Sequence, residues 1–176
     1  GVNGSQQVNA NITYINGKES SRDITGTTTL SEPTEAIVAV GTKEKPTWVA
    51  TGSFRWPVYG RITSSYGYRS IFGSYSLHRG IDIACSYGTS IVAADGGTVT
   101  FSGWNGTYGK LVVIDHGNGK VTYYAHNSSL LVSVGDKVAK GETITLAGST
   151  GRSTGTHCHF EVHVNGQLVN PLNYLP

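Results

Sequence analysis

The stretch "GTHCHFEVH", Gly155 to His163, constrains the fold more than any other part of the chain. Polar and apolar residues alternate along it, and side chains of a β-strand point to opposite faces in turn. One face would carry three histidines and a glutamate and the other apolar side chains: His157, His159, Glu161 and His163 against Cys158, Phe160, Val162 and Val164. Its β-branched and aromatic residues favour a strand over a helix. We therefore predict a strand with one core face and one polar face.

The histidines of this strand are candidate metal ligands. Same-face residues of a strand lie about 7 Å apart at the backbone, so two imidazoles can converge on one ion. The spacing allows either His157 or His159 to reach it, whereas for His163 we expect a solvent-exposed position. The dipeptide Asn165-Gly166 follows the strand and predicts a hairpin turn.

The composition favours an all-β fold. The 176 residues include 24 Gly, and no segment has a helical period of useful length, which predicts mainly antiparallel strands with tight turns. A net charge of +2 is too small to indicate a nucleic-acid partner, but it allows attraction to an anionic polymer such as a bacterial wall. No apolar run is long enough to cross a membrane, and no signal segment is recognisable. Because the chain lacks methionine and begins at Gly1, we expect a mature product or an excised fragment.

The chain is predicted to have two parts joined by a linker. Residues 1–46 are rich in Thr, Ser, Asn and Gly and contain no His or Cys, which indicates a small strand-forming module. The segment "KEKPTWVATGSFRWP", Lys43 to Pro57, mixes charge, proline and glycine without a period, and residues 47–54 within it are predicted to be the linker. From residue 55 to residue 176, short strands alternate with glycine turns.

A second candidate ligand pair lies in "LHRGIDIA". His78 and Asp82 are four residues apart, but Gly80 and the neighbouring isoleucines argue against a helix. In an extended segment His78, Gly80 and Asp82 share a face, and Gly80 would leave a gap for an ion. Imidazole nitrogen and carboxylate oxygen are common zinc ligands. The alternative for Asp82 is a carboxylate that caps a turn.

His126 ends the predicted strand "VTYYAH". Alternation would place it on the same face as Thr122 and Tyr124, at the strand end where functional residues often lie. The alternative is an ordinary surface histidine. The following segment, "NSSLLVSVGD", is predicted to form a short helical turn capped by Asn127 and Ser128, with two leucines packing inward.

The two cysteines leave two alternatives open. Cys85 and Cys158 form one disulfide in an oxidising compartment, or they stay as buried free thiols. A single pair so far apart is no disulfide framework, and we favour the free thiols.

The N-terminal part resembles the latter part of a five-glycine module of bacterial surface proteins, through "GVNG", "ITYINGKESSR" and "IVAVGTK". The resemblance implies a partial module over residues 1–46 that serves as a spacer or binds a wall polymer.

The remainder resembles the lysostaphin and LytM type of zinc peptidoglycan endopeptidase, through "WPVYGRITSSYGYR", "LHRGIDIA", "YYAHNSSLLVSVGDKVAKGETITLAGSTG" and "GTHCHFEVHVNGQLVNPLNYL". The resemblance covers residues 55–176 and implies an antiparallel β catalytic domain with an active-site groove. It makes His78, Asp82 and His159 the ligands of Zn²⁺, and His126 and His157 a catalytic pair that does not bind the metal.

The activity implied by this resemblance is hydrolysis of peptide cross-links in bacterial peptidoglycan, outside the cell or in the cell wall. A zinc-activated water would attack the scissile carbonyl, and the two histidines would assist proton transfer. We expect groove walls from the loops near Phe72 to Leu77, from Trp104 to Tyr108 and from "GSTGRSTGTH". Relatives divide between glycyl-glycine bridges and stem-peptide cross-links, and the sequence does not choose between these substrates.

Two rival functions are compatible with parts of the sequence. One is an inactive relative that binds the wall or activates a partner hydrolase, although such proteins usually lack a metal ligand. The other is a biotinyl or lipoyl carrier, suggested by the hairpin-like "VSVGDKVAKGETI", but no lysine there has the pattern expected of a cofactor carrier.

Overall fold

The computed structural model describes residues 2–34, 48–71 and 73–176. The chain divides into two compact units, Gly1–Glu44 and Lys45–Pro176. Every strand pairing among the described residues is antiparallel, and the helical elements there are two short 3-10 helices, Gly106–Tyr108 and Pro171–Asn173. The predicted all-β, mainly antiparallel fold class is therefore confirmed. None of the described helices is long and apolar enough to span a membrane.

The first unit is a long hairpin of two strands, β1 (Ser5–Ile15) and β2 (Lys18–Ser31). Asn16 and Gly17 form its turn with φ angles of 53° and 77°. Positive φ at both central residues is the requirement of a type I′ turn, the tight turn that matches the twist of paired strands. Nearly all of the hairpin's side chains are exposed.

The second unit holds the other strands, most of them short. In chain order these are β3 (Ile62–Ser64), β4 (Gly67–Ile71), β5 (Ser74–His78), β6 (Ile81–Ala84), β7 (Ser90–Val92), β8 (Gly97–Asn105), β9 (Gly109–Asp115), β10 (Lys120–Asn127), β11 (Ser129–Leu130), β12 (Lys137–Val138), β13 (Thr143–Leu146), β14 (His157–Val164) and β15 (Gln167–Val169). The main sheet has the order β12-β8-β9-β10-β14-β6-β3, with β15 paired to β14. A three-stranded sheet, β11-β13-β7, and the hairpin β4-β5 complete the unit.

The hydrophobic core lies between the main sheet and the three-stranded sheet. Tyr124 of β10 and Phe160 of β14 are fully buried there against Ile91 of β7 and Ile144 of β13. The other face of the main sheet carries a smaller apolar cluster at β9 and β10, made of Leu111, Val113 and Ala125. Since the core occupies one face of these strands, their second face is available for polar side chains.

Both cysteines are free. Cys158 is fully buried in the core, whereas Cys85 is half-buried. Burial raises the pKa of both thiols.

The described part of the predicted linker 47–54 is held by Asp95. This buried carboxylate accepts hydrogen bonds from the backbone N–H groups of Thr51 and Gly52, both at 2.9 Å, and from the Thr51 hydroxyl at 3.0 Å. Phe54 is buried in the core of the second unit. The sequence pattern, which lacks a period here, gives no sign of these contacts.

The predicted helical turn in "NSSLLVSVGD" is wrong. The Asn127 side-chain NH2 donates to the carbonyls of Lys110 and Tyr124, and its Oδ1 accepts no hydrogen bond from the described residues, so Asn127 does not cap a helix. The chain continues as β11, which pairs with β13. Leu130 packs against the core, but Leu131 is exposed. A pairing partner distant in sequence therefore decides this local structure.

The gap predicted at Gly80 is filled by the backbone of β14, which lies close to the bend between β5 and β6 at this residue. A Cβ at Gly80 would lie 2.2 Å from the Phe160 carbonyl oxygen and 2.8 Å from its carbon. Because both atoms belong to the backbone of β14, they cannot move aside as a flexible side chain could.

The variant Gly80→Ala is expected to lower the free energy of unfolding by about 2 kcal/mol, as overpacking in a well-packed site does. Denaturant unfolding of the chain measures this change. Gly155→Ala is the matched control, since a Cβ there meets no atom within 4 Å. Equal unfolding midpoints for the two variants would contradict the close-approach explanation.

Candidate metal centre and groove

Strand β14 has the two faces that the alternating sequence predicts. Cys158, Phe160 and Val162 are fully buried in the core. The hairpin turn to β15 is also confirmed, with φ angles of 50° at Asn165 and 76° at Gly166. The histidines of β14 therefore lie on a rigid central strand, on the face away from the core.

Three predicted metal ligands come together on this face. His159 lies directly opposite Asp82 in the β14–β6 pairing, and His78 at the end of β5 reaches the same point. The His159 Nδ1–Asp82 Oδ1 distance is 2.8 Å, His78 Nε2–Asp82 Oδ1 is 3.1 Å and His78 Nε2–His159 Nδ1 is 3.1 Å. All three side chains are buried. Among the residues that the structure describes, this is the group of His, Cys, Asp and Glu side chains able to hold a metal ion.

The other ring nitrogens of the two histidines have hydrogen-bond acceptors. His78 Nδ1–H donates to the Ser65 carbonyl at 2.8 Å, and His159 Nε2 lies 3.1 Å from Glu161 Oε1. In the neutral rings the proton is therefore on Nδ1 of His78 and on Nε2 of His159. The lone pairs of His78 Nε2 and His159 Nδ1 then face each other across 3.1 Å. Two lone pairs at this distance repel unless a cation or a proton lies between them.

The spacing of the three atoms fits zinc. Ligand atoms about 2.1 Å from a tetrahedral ion are about 3.4 Å apart, close to the distances in this cluster. Two imidazoles and one carboxylate also form a usual catalytic zinc set, in which a fourth position stays open. The chemistry of the donor set and its geometry are thus compatible with the ion implied by the sequence.

Asp82 is held in its charged form. Burial raises the pKa of this carboxyl, but hydrogen bonds with His159 and His78 outweigh burial and hold it well below its usual range. The Arg69 guanidinium, 3.2 Å from Asp82 Oδ2, adds a second ion pair and also donates to the Ser64 hydroxyl. A charged carboxylate is the form that binds a cation.

His126 lies in the groove, but on the opposite strand face from the one predicted. Thr122 and Tyr124 are buried on the core side, and strict alternation would send His126 there too. A bulge in the β10–β9 pairing between Tyr124 and Asn127, with φ of 64° at His126, reverses its direction. The ring then lies 4.8 Å from that of His157, centroid to centroid.

His126 and His157 present the same ring atom to the site. His126 Nδ1–H donates to the Thr150 carbonyl at 2.8 Å, and His157 Nδ1–H donates to the Gly155 carbonyl at 2.7 Å. In the neutral form this leaves Nε2 of each ring as an acceptor. His157 Nε2 lies 3.5 Å from Asp82 Oδ1, farther than the atoms of the three-residue cluster.

Burial, with a smaller contribution from the nearby His159 and His157, lowers the pKa of His126 to about 4 against the opposing hydrogen bond to Thr150. The charged form is therefore disfavoured in the folded protein. Above about pH 5, His126 is neutral, whereas an exposed histidine is mostly protonated until about pH 6.5.

Glu161, which continues the polar face of β14, is fully buried among the residues that line the groove. Its Oε1 accepts from Tyr108 at 2.7 Å and from His159 at 3.1 Å, and its Oε2 accepts from His163 at 2.8 Å. Burial raises the pKa of Glu161, but the hydrogen bonds with the two histidines lower it more strongly. Its position two residues after His159 on the same face is the signal that the sequence offers.

His163 is not the solvent-exposed residue that we expect from the sequence. Its side chain is only 13% exposed, and its ring stacks on Tyr123 with centroids 4.6 Å apart. Tyr123 lies on the neighbouring strand β10, so this partner is not visible in the sequence around His163.

A groove of about 360 Å³ lies over these residues. Each predicted wall segment contributes to it: Leu77 from the first, Tyr108 from the second and Arg152 from the third. Phe72, named in the first segment, lies outside the described residues. The floor of the groove is lined by His126, His157 and the cluster of His78, Asp82 and His159.

Comparison with known protein families matches both parts of the chain. Residues 1–43 match the G5 domain, and residues 76–171 match peptidase family M23. The predicted boundaries 1–46, 47–54 and 55–176 stay predictions.

Curated relatives match the second unit and, in some cases, most of the chain. The chain is 48% identical over 118 residues to the DD-carboxypeptidase/endopeptidase Mpg of Neisseria meningitidis. The aligned region covers 66% of this chain and 27% of Mpg. It is 35% identical over 175 residues to the murein hydrolase activator NlpD of Salmonella typhimurium, covering 98% of this chain and 44% of NlpD. The chain therefore spans less than half the length of these relatives.

Solved structures share the fold of the second unit. A zinc-containing peptidase from Vibrio cholerae matches with a TM-score of 0.63 and 34% identity, over 67% of this chain and 39% of that one. The catalytic domain of lysostaphin from Staphylococcus simulans matches with a TM-score of 0.61 and 29% identity, over 65% of this chain and 91% of that one. The predicted resemblance to lysostaphin-type peptidases is confirmed. With its family match extending over more than half of its length, the chain belongs to peptidase family M23.

Proposed function

We propose that this chain is a zinc-dependent endopeptidase that hydrolyses peptide cross-links of bacterial peptidoglycan. The observation that carries the proposal is the convergence of His78, Asp82 and His159 within 3.1 Å beside His126 and His157, on the floor of one groove. Family membership supports a peptidase, and the donor set supports a metal.

The metal would be held by His78 Nε2, Asp82 Oδ1 and His159 Nδ1. Zinc bound there supplies a Lewis acid that polarises a carbonyl and makes water acidic near neutral pH. Asp82 contributes negative charge, and Ser65 and Glu161 fix the imidazole tautomers that leave the ligand nitrogens unprotonated.

His126 and His157 act on protons. Each ring is fixed by its Nδ1–H bond to a backbone carbonyl, so each Nε2 is held ready to accept a proton from attacking water. The protonated ring then returns the proton to the leaving amine. The low pKa of His126 keeps this residue neutral at working pH, which is the state a general base requires.

The relatives support the substrate and the location. Mpg is named a DD-carboxypeptidase/endopeptidase, which is a peptidase activity, and NlpD is named a murein hydrolase activator, which is a role in wall hydrolysis. We therefore propose that this chain acts in the bacterial envelope. The N-terminal unit, which matches a G5 domain, would bind a wall polymer.

Digestion of purified sacculi tests this function. The chain is incubated with sacculi of several cross-link types, with a zinc chelator, and with the chelator followed by excess zinc. We expect new peptide termini by mass spectrometry that disappear with the chelator and return with zinc. Release of the same termini in the presence of chelator would contradict a metallopeptidase.

A second candidate function is activation of a partner hydrolase. Its specific support is the similarity to NlpD, which extends over 98% of this chain. The sacculus assay separates the two functions, because an activator leaves purified sacculi intact and accelerates their digestion when a wall amidase is added. All five candidate metal and catalytic side chains are present in this chain, which favours the peptidase.

Glu161→Gln is expected to weaken zinc binding about 10- to 100-fold, as loss of a carboxylate that orients a ligating histidine does. The amide still accepts from His159 Nε2 but lacks the negative charge that makes the imidazole a stronger donor. Chelator competition measures the zinc Kd.

Glu142→Gln is the matched control for that variant, because Glu142 accepts a backbone hydrogen bond from Ala139 away from the groove. An unchanged zinc Kd in Glu161→Gln would remove the proposed orienting role.

A further inference from the structure

The two carboxylate oxygens of Asp82 have different surroundings. Oδ1 lies at the metal cluster, 2.8 Å from His159 Nδ1 and 3.1 Å from His78 Nε2. Oδ2 lies 3.2 Å from Nη1 of Arg69. The Asp82 side chain is only 11% exposed, so protein groups rather than solvent surround both oxygens. One oxygen therefore faces the proposed metal position, and the other faces a guanidinium.

The strands around the site hold Arg69 in place. Arg69 pairs with Ser76 in the β4–β5 hairpin, and the same hairpin ends in the candidate ligand His78. A single nitrogen of Arg69, Nη1, donates both to Asp82 Oδ2 and to the Ser64 hydroxyl. Ser64 lies opposite Asp82 in the β3–β6 pairing. The contact of Arg69 with Oδ2 is therefore built into the sheet and does not depend on a mobile surface side chain.

The charge of Asp82 is stabilised without Arg69. Against the effect of burial, hydrogen bonds with His159 and His78 hold the pKa of the Asp82 carboxyl well below its usual range. A guanidinium beside a metal ligand also repels a bound cation and shares the negative charge that attracts it. For metal affinity alone, Arg69 is therefore a disadvantage, and its contact with Oδ2 calls for a different explanation.

The contact decides how many oxygens of Asp82 are free to bind a metal. A carboxylate binds cations through one oxygen or through both. A catalytic zinc site has three protein ligands and keeps a further position for water. If Asp82 bound through both oxygens, the second would compete with that water. Because Oδ2 accepts a hydrogen bond from Arg69, it is turned away from this role.

We propose that Arg69 is a positioning residue that restricts Asp82 to one metal-binding oxygen, Oδ1, and so keeps a coordination position open for water. This inference rests on the proposed peptidase function and concerns the same site. A guanidinium suits the task because it stays charged at every pH at which proteins are folded. Arg69 then lowers metal affinity and raises turnover, whereas Glu161 supports metal affinity.

Cobalt(II) in place of zinc tests the proposal, because its visible absorption is strong with four ligands and weakens when a further ligand binds. Wild type, Arg69→Met, Arg69→Lys and Arg61→Met are loaded with cobalt and their spectra compared. Zinc Kd is measured by chelator competition, and kcat and KM on soluble cross-linked wall peptides. Lysine is the conservative variant, since one ammonium nitrogen can make both contacts that Nη1 makes. Arg61, the control, is exposed and outside the groove lining.

We expect Arg69→Met to have weaker cobalt absorption, to bind zinc at least as tightly as wild type, and to lose about 10- to 100-fold in kcat with little change in KM. Arg69→Lys should recover the spectrum and most of kcat, and Arg61→Met should match wild type. A merely structural role would weaken zinc binding and leave the spectrum of bound cobalt unchanged. Either of these results in folded Arg69→Met would overturn the inference.

Ser64→Ala is the second variant, for the case that circular dichroism shows Arg69→Met to be unfolded. It removes the hydroxyl that anchors Nη1, so the same changes should appear at smaller size. A wild-type cobalt spectrum in Ser64→Ala would then overturn the inference. Wild type that binds cobalt but cleaves no wall peptide would remove the proposed function, while the spectra would still decide the role of Arg69. Wild type that binds neither metal would overturn both.

Discussion

His159→Ala is expected to abolish stoichiometric zinc binding, and His78→Ala and Asp82→Ala are expected to do the same. Structural zinc sites with four ligands have binding free energies of about 10–16 kcal/mol, so one ligand contributes about 3 kcal/mol, or at least about 100-fold in Kd. The loss is expected to be larger at Asp82, because two imidazoles would then hold the ion without a compensating negative charge. Elemental analysis after dialysis, with circular dichroism as a check of folding, measures the outcome.

His163→Ala is the matched control for the ligand variants. It removes a histidine from the same face of β14, whose ring stacks on Tyr123 and donates to Glu161 without entering the cluster. This variant should keep one zinc per chain. A folded ligand variant that also retains one zinc per chain would refute the assignment of that ligand.

His126→Ala and His157→Ala are expected to keep zinc and to lose about 10²- to 10⁴-fold in kcat, the usual contribution of a positioned acid or base. Neither ring belongs to the three-residue cluster, so metal binding does not depend on them. Their Nε2 atoms are the acceptors that the hydrogen bonds to Thr150 and Gly155 leave available. We expect KM to change little, because the groove walls rather than these rings bind the peptide.

The measurement for these two variants combines steady-state kinetics with zinc content. His126→Gln adds a test of chemistry against packing, since glutamine preserves a polar side chain but cannot accept a proton at neutral pH. Wild-type kcat in any of these variants with zinc bound would exclude that histidine from proton transfer. Loss of zinc from His157→Ala would instead make His157 a ligand.

The sequence predicts β14 well because the strand carries its own information. Alternation along "HCHFEVH" determines which side chains enter the core, and Asn165-Gly166 ends the strand with a turn that few other dipeptides form. Neither feature depends on a partner distant in sequence.

The sequence does not predict features that depend on neighbouring strands. His126 enters the groove through a bulge with positive φ, a conformation that histidine rarely adopts and that alternation cannot anticipate. Gly80 is needed because of a carbonyl on β14, eighty residues later in the chain. The burial of Glu161 depends on hydrogen bonds from Tyr108, His159 and His163, which only the folded sheet brings together.

The ligand choice between His157 and His159 also needs the fold. Both residues lie on one face of β14 and near Asp82 Oδ1. His157 Nε2 is 3.5 Å from this oxygen, and His159 Nδ1 is 2.8 Å from it. The difference arises because His159 pairs directly with Asp82 across the sheet, whereas His157 pairs with Ala84. Strand register, which sequence spacing does not specify, therefore supports His159 as the ligand.

An anomalous X-ray difference map of zinc-soaked crystals, recorded above and below the zinc absorption edge, tests the central claim most directly. The account predicts one strong peak that is present only above the edge, bonded to His78 Nε2, Asp82 Oδ1 and His159 Nδ1 at about 2.0–2.2 Å. The rings of His126 and His157 should lie beside it without bonding to it. A peak bonded to His157 or His126 in place of His159, or no peak in the groove, would contradict the account.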